Sequence, residues 1–164
     1  MFDRIKFNLL CMKQAYKASV QLSKHMHFSF TLKKYKDLPV FSNKDSRTVV
    51  MALTGLAHGA VITQMGDTRG IWLGETDGLS EKGLKAMLAH EYGHHINGDI
   101  DYMLRHKFKS FFGFIDRMSM EYAADKYAAE EVGTEAMVEC LEWLKTQVPE
   151  LSKDVDDRIN HLQQ

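Results

Sequence analysis

The chain has 164 residues, of which 45% are hydrophobic and 26% are charged, which is enough for one globular domain with one core. This composition excludes a long disordered segment, and no apolar run reaches the length of a membrane-spanning helix. The formal charge is −1, but residues 1–38 carry eight Lys and Arg against two Asp, whereas residues 39–164 carry thirteen against twenty acidic residues. No aromatic-and-basic RNA motif accompanies the basic segment, so we expect an intramolecular or solvated face and no nucleic-acid partner.

The first residues show no signal-peptide pattern. Cys11 and Cys140 lie far apart and form no C-x-x-C pair, which favours reduced thiols. We therefore expect a soluble cytoplasmic protein with no transmembrane segment.

The N-terminal segment predicts two elements. Apolar residues recur at spacings of three and four between Ile5 and Val20, which indicates an amphipathic helix over 3–26. The alternating stretch FSFTLKKY, residues 28–35, predicts a strand. We assign residues 1–38 to a basic helix-and-strand segment packed on the core, and residues 39–164 to the main domain.

The main domain predicts three β-rich pieces and then three helices. The strands are TVVMALTG (48–55), AVITQM (60–65) and GIWLGE (70–75), and the last two flank the hairpin turn GDTRG. The helices cover 81–97 with Ser80 as N-cap, 116–132 up to Gly133, and a third from the N-cap Thr134 to before Pro149. The predicted fold class is α+β: a small, mostly antiparallel sheet packed with helices.

The stretch LAHEYGHHINGD, residues 88–99, carries the strongest chemical signal. On a helix, His90 and His94 lie on one face and can aim two imidazole nitrogens at one point. Glu91 lies beside them and can reach a water molecule without binding the metal. A catalytic zinc site needs one more protein ligand and keeps its fourth position for water.

The stretch EYAADKYAAE, residues 121–130, supplies that ligand. Glu121 and Asp125 are four residues apart, and small alanines on the same face allow this helix to approach the histidine helix closely. We predict Glu121 as the third zinc ligand and Asp125 as the carboxylate that accepts the far N–H of a zinc-bound histidine. The alternative is that both acids belong to a solvated helix face with Lys126.

Together, LSEKGLKAMLAHEYGHHINGD, MEYAADKYAAE and DRINHL resemble the gluzincin metallopeptidases. Residues 70–162 are similar to the HtpX-like and CAAX-processing zinc proteases and to their small soluble relatives, the minigluzincins. The resemblance implies a zincin-like domain over 39–164, with an H-E-x-x-H active-site helix, a glutamate helix and a short sheet. It also implies that an edge strand, here 70–75, binds a peptide by strand addition.

The sequence departs from this family in two places. Integral-membrane members place transmembrane segments between the two metal motifs, whereas here only residues 95–120 intervene. Members often carry a His-Pro pair six residues before the Arg-Ile of the final motif, where this chain has Ser152 and Lys153. Arg158 and His161 are our candidates for an oxyanion or substrate contact.

We predict a zinc-dependent metalloendopeptidase with Zn²⁺ as cofactor, Glu91 as general base and a peptide or protein substrate. The alternative is a regulatory or latent zinc protein that binds or cleaves one dedicated partner, such as a repressor, without general proteolytic activity. Latency would follow if residues 1–38, or the tail after Pro149, lay across an acidic cleft. We further expect His95 to be a satisfied core histidine, and the segment 107–115 to be either core packing or a hydrophobic lid.

Overall fold

The computed structural model describes residues 33–65, 68–106 and 115–164. Over these residues the fold is α+β, as predicted. The strands are β1 (Lys33–Tyr35), β2 (Leu38–Phe41), β3 (Ala60–Met65) and β4 (Thr68–Leu73). The helices are α1 (Lys44–Thr54), α2 (Glu81–Ile96), α3 (Asp99–Arg105), α4 (Arg117–Val132), α5 (Thr134–Gln147) and α6 (Ser152–Leu162), with a 3-10 turn at Pro149–Leu151. Three predictions fall wholly or mostly outside the described residues: the helix over 3–26, the strand over 28–35 and the segment 107–115.

The four strands form a mixed sheet in the order β1-β2-β4-β3. β1 and β2 are antiparallel, β3 and β4 are antiparallel, and β2 runs parallel to β4. The predicted hairpin is confirmed, because Met65 pairs with Thr68 across the turn. The prediction that 70–75 is an edge strand is wrong: the chain returns from β3 to pair β4 with β2, so β4 lies inside the sheet and β3 forms its edge in the described part of the chain.

The prediction of a strand over 48–55 is also wrong, because these residues belong to α1. Asn43 and Ser46 form a reciprocal capping box in which the side chain of each accepts the backbone N–H of the other at 2.9 Å. Gly55 closes the helix in the left-handed conformation, at φ 78°. These two caps fix a helix despite the β-branched residues between them.

Alternating side chains of the sheet face two separate clusters of buried residues. Ile71 packs in the main core with α2 and the C-terminal helices. The next residue, Trp72, points to the other face, where it stacks on Phe41 at 4.1 Å and packs with Val49 and Val50 of α1. The active-site helix predicted from the sequence is therefore held between the sheet and the other helices.

The predicted helix boundaries in this region are close to the observed ones. The Ser80 side chain accepts the Gly83 N–H at 3.0 Å and starts α2, and Gly133 follows α4. α5 differs slightly, since Gly133 rather than Thr134 occupies its N-cap position. The residues after Pro149, for which no element was predicted, form the 3-10 turn and α6. None of the helices in the described ranges combines the length and the hydrophobicity that crossing a bilayer requires.

Candidate metal centre

The site is built on the close contact between α2 and α4. Gly93 of α2 and Ala124 of α4 meet so closely that a Cβ on Gly93 would lie 3.0 Å from the Ala124 Cα. Ala124 and Ala128 are fully buried in this contact. The absence of larger side chains lets α4 approach until Glu121 lies beside the two histidines of α2.

His90, His94 and Glu121 form a compact group of three potential metal ligands. Their donor atoms all lie within 4.8 Å of one another. The two Nε2 atoms are 3.1 Å apart, and Glu121 oxygens lie 3.4 Å from His90 Nε2 and 3.7 Å from His94 Nε2. Ligands at about 2.0–2.2 Å from a tetrahedral zinc are about 3.3–3.6 Å apart, so the spacing of these three groups is close to that of three ligands of one metal ion. The predicted ligands are thus brought together in an arrangement that could hold a metal ion.

Each imidazole is oriented by a carboxylate on its far nitrogen. His90 Nδ1 lies 2.8 Å from Asp125 Oδ1, and His94 Nδ1 lies 2.8 Å from Asp99 Oδ2. Both carboxylates are buried, with 1% exposure at Asp125 and 7% at Asp99. Because each Nδ1 faces a carboxylate, Nε2 is the nitrogen of each ring that is left to bind a metal ion.

Arg158 of α6 joins the two acids of α4. Its Nε and Nη2 donate to the Asp125 carboxylate at 2.7 and 2.6 Å, and its Nη1 lies 3.0 Å from Glu121 Oε2. Arg158 is only 9% exposed, so these contacts are shielded from water. All three of its nitrogens face these carboxylates, and Arg158 also lines the cleft beside them; its role as an oxyanion or substrate contact stays a prediction.

The same contacts set the charge of the cluster. Burial alone would lower the pKa of His90, but its hydrogen bonds to Asp125 and Glu121 outweigh burial and raise the pKa to about 10. Burial alone would raise the pKa of Glu121, yet its hydrogen bond with His90 and the charge of Arg158 hold that pKa well below its usual range. The cluster therefore stabilises positive charge at the point where the ligand atoms meet.

Glu91 faces the sheet edge next to the three ligands. It is 7% exposed, and its Oε2 accepts the backbone N–H of Ile62 in β3 at 2.7 Å. Since that N–H points away from β4, it lies on the edge of the sheet that faces α2. The hydrogen bond fixes one oxygen of Glu91 and leaves Oε1 to other partners.

No family model matches the sequence, and no curated protein or solved structure matches the chain.

A cleft of about 770 Å³ connects these groups. His90, His94, Glu121, Glu91, Gly59 and residues 60–63 of β3 all line it. Its remaining walls are largely apolar. They include Ile100, Met103, Met118, Met120, Met137, Cys140, Leu141, Leu144 and Val155.

Two of the remaining predicted histidines lie apart from the cluster. His161 is exposed and stacks on Tyr122 at 4.2 Å, and it does not line the cleft. His95 is half-buried against Tyr92, but the prediction of a satisfied histidine is wrong, because its buried Nδ1 has no hydrogen-bond partner among the described residues. Cys140 is a buried free thiol whose pKa burial raises to about 12.

The sequence reading missed Asp99. The sequence contains a signal for it, because Asp99 stands five residues after His94 and directly follows a glycine, Gly98. In the structure Gly98 adopts φ 74°. That left-handed turn ends α2 and starts α3, so the chain folds back and brings the Asp99 carboxylate onto the last histidine of the motif.

Proposed function

We propose that the chain is a zinc-dependent metalloendopeptidase of the gluzincin type. The observation that carries this proposal is the cleft in which His90, His94 and Glu121 meet at ligand spacing beside Glu91. Two histidines and one carboxylate are a ligand set that catalytic zinc sites use, and three protein ligands leave one position for water or substrate. The resemblance of the two sequence motifs to gluzincins supports the same function.

Bound at these three residues, Zn²⁺ would supply Lewis-acid activation of a water molecule and of the scissile carbonyl. Glu91 Oε1 takes the proton of the attacking water while its Oε2 stays on the Ile62 N–H. The water oxygen bonds to the carbonyl carbon, the C–N bond breaks, and Glu91 passes the proton to the leaving nitrogen. The products are a carboxylic acid and an amine, and Glu91 returns to its starting state.

The other residues of the site hold these groups in place. Asp125 and Asp99 keep His90 and His94 in the tautomer that presents Nε2. Arg158 balances the charges of Asp125 and Glu121. None of these three residues needs to move a proton for the reaction to proceed.

The edge of β3 supports an extended peptide as substrate. Ala60 and Gln64 have the same orientation along the strand as Ile62, so their backbone groups also point away from β4. A peptide that pairs with this edge would run through the cleft past Glu91. This replaces the strand over 70–75 as the proposed substrate-binding edge.

The test combines zinc content with proteolysis. We expect the purified protein to hold about one zinc ion per chain and to cleave an unfolded protein such as reduced casein. Chelation should abolish cleavage, and added zinc should restore it. A protein that holds zinc, leaves casein and peptide libraries intact and retains one tight protein partner would contradict general peptidase activity and favour the regulatory alternative.

A further inference from the structure

The short helix α3 connects the metal centre to the sheet through two of its acidic residues. Asp99 is its first residue and contacts His94 Nδ1 at 2.8 Å. Asp101 follows two residues later, and residues two apart on a helix point to nearly opposite sides. Asp101 accordingly faces β4, where it meets Arg69. Asp99 of this helix therefore contacts His94, and Asp101 contacts the sheet.

Arg69 holds α3 against the hairpin formed by β3 and β4. Its Nη2 and Nη1 donate to the Asp101 carboxylate at 2.6 and 3.2 Å, and Nη2 also donates to Gln64 Oε1 at 3.1 Å. This ion pair raises the pKa of Arg69 and lowers that of Asp101. The side chains are 22% and 43% exposed, respectively, so water weakens the ion pair but does not remove it.

The turn before α3 makes such an anchor useful. α2 ends at Ile96, and Asn97 and Gly98 alone separate it from Asp99. A Cβ on Gly98 would meet no atom within 4 Å, so nothing packs against Gly98 on that side, although Ile100 of α3 is buried in the main core. The Arg69–Asp101 pair is a contact that can hold the start of α3, and with it Asp99, in a fixed position.

We infer that Asp99 is a positioning residue for His94, and that the Arg69–Asp101 pair keeps it in place. This inference rests on the proposed metal site. The competing explanation is that Asp99 only stabilises the N-terminus of α3, as acidic residues in the first turn of a helix do. In that case its removal would affect the stability of α3 but would leave the metal affinity unchanged.

The two contacts predict effects of different size on zinc affinity. Asp99→Asn keeps the shape of the side chain but removes the negative charge that faces His94 Nδ1, so zinc affinity should fall about 10- to 100-fold. Asp101→Asn or Arg69→Gln removes only a partly exposed ion pair, so affinity should fall about two- to fivefold. The double variant D99N/D101N should bind zinc as weakly as D99N alone, because Asp101 acts through Asp99.

The experiment measures zinc affinity by competition with a chelator and records the visible absorption of Co²⁺ bound in place of zinc. Cobalt absorption reports the ligand geometry, so it should shift in D99N and, less strongly, in D101N, while melting curves check folding. Arg47→Gln is the matched control, because it removes a similar exposed pair, Arg47–Glu75 at 3.5 Å, that does not involve α3. It should leave both readouts unchanged.

Unchanged zinc affinity and cobalt absorption in D99N would overturn the inference, and additive losses in D99N/D101N would overturn the link through Asp101. If D99N does not fold, Asp101→Asn and Arg69→Gln provide the test. The inference is then refuted if zinc affinity and cobalt absorption are both unchanged in these two variants. These outcomes are distinct from failure of the proposed function. A wild-type protein that binds no zinc, or binds zinc and cleaves nothing, contradicts the peptidase proposal itself.

Discussion

Replacing Arg158 by Gln tests the buried charge network behind the metal ligands. The arginine makes three contacts of 2.6–3.0 Å with Asp125 and Glu121, and Asp125 is 1% exposed. Without the guanidinium, the Asp125 carboxylate keeps only His90 as a charged partner. Breaking a buried ion pair by removing one partner costs about 3–5 kcal/mol, so we expect the free energy of unfolding of the metal-free protein to fall by about that amount at pH 7.

The loss in the free energy of unfolding should depend on pH. Against the effect of burial, His90 and Arg158 together hold the pKa values of Glu121 and Asp125 below their usual ranges, so the contribution of Arg158 is complete above the unfolded-state pKa values. That contribution is lost as the pH falls through the depressed folded-state values. In the variant, the unpaired carboxylates take up protons at higher pH than in the wild type. The difference in stability between the two proteins should therefore narrow as the medium becomes acidic.

Urea denaturation in the presence of a chelator measures both effects. Arg158→Lys should lose less stability than Arg158→Gln, since it keeps the charge but not the bidentate contact. Lys145→Met is the control: it removes the surface pair Lys145–Asp156 and should cost less than about 1 kcal/mol. A loss below about 1 kcal/mol for Arg158→Gln at pH 7, or a loss that does not change with pH, would refute this account of the network.

Three further predictions concern the metal ligands and the helices that carry them. Glu121→Gln should lose most zinc affinity, whereas Asp125→Asn should weaken it on the order of 10- to 100-fold; the reverse order in a chelator competition would reverse the two assigned roles. Because the pKa of His90 is about 10, zinc displaces a proton from it at neutral pH. Calorimetry in buffers of different ionisation enthalpy should detect about one proton released, and zinc affinity should rise with pH; no release would contradict the protonated state of His90. Gly93→Ala places a Cβ 3.0 Å from the Ala124 Cα, so α4 has to shift and zinc affinity should fall, even though alanine favours a helix by about 1 kcal/mol. Wild-type zinc affinity in this variant would show that α4 does not have to shift.

Local signals account for the parts of the fold that the sequence predicted well. Ser80 caps α2 and Gly133 follows α4, and each acts on residues only a few positions away. The prediction failed for α1, because it gave more weight to the β-branched residues 48–50 than to the capping box that starts at Asn43. The box was readable in the sequence, because Asn43 and Ser46 have the required spacing.

Contacts between distant elements explain what the sequence did not predict. The spacing of His90, His94 and Glu121 indicated which side chains could share a metal ion, since two of them lie on one helix face. Arg158 pairs with Asp125 across 33 positions, and no periodicity reports such a contact. The identity of the edge strand depends on which strands pair in the sheet, so it too required the complete topology.

The most direct test of the central claim compares peptide cleavage by the zinc-loaded wild type and the zinc-loaded Glu91→Gln variant at equal zinc content. Glu130→Gln serves as the control, because Glu130 lies on α4 with 67% of its side chain exposed. We predict that Glu91→Gln keeps its zinc and loses nearly all cleavage, while Glu130→Gln cleaves like the wild type. Full cleavage by the Glu91→Gln variant would contradict the proposed mechanism.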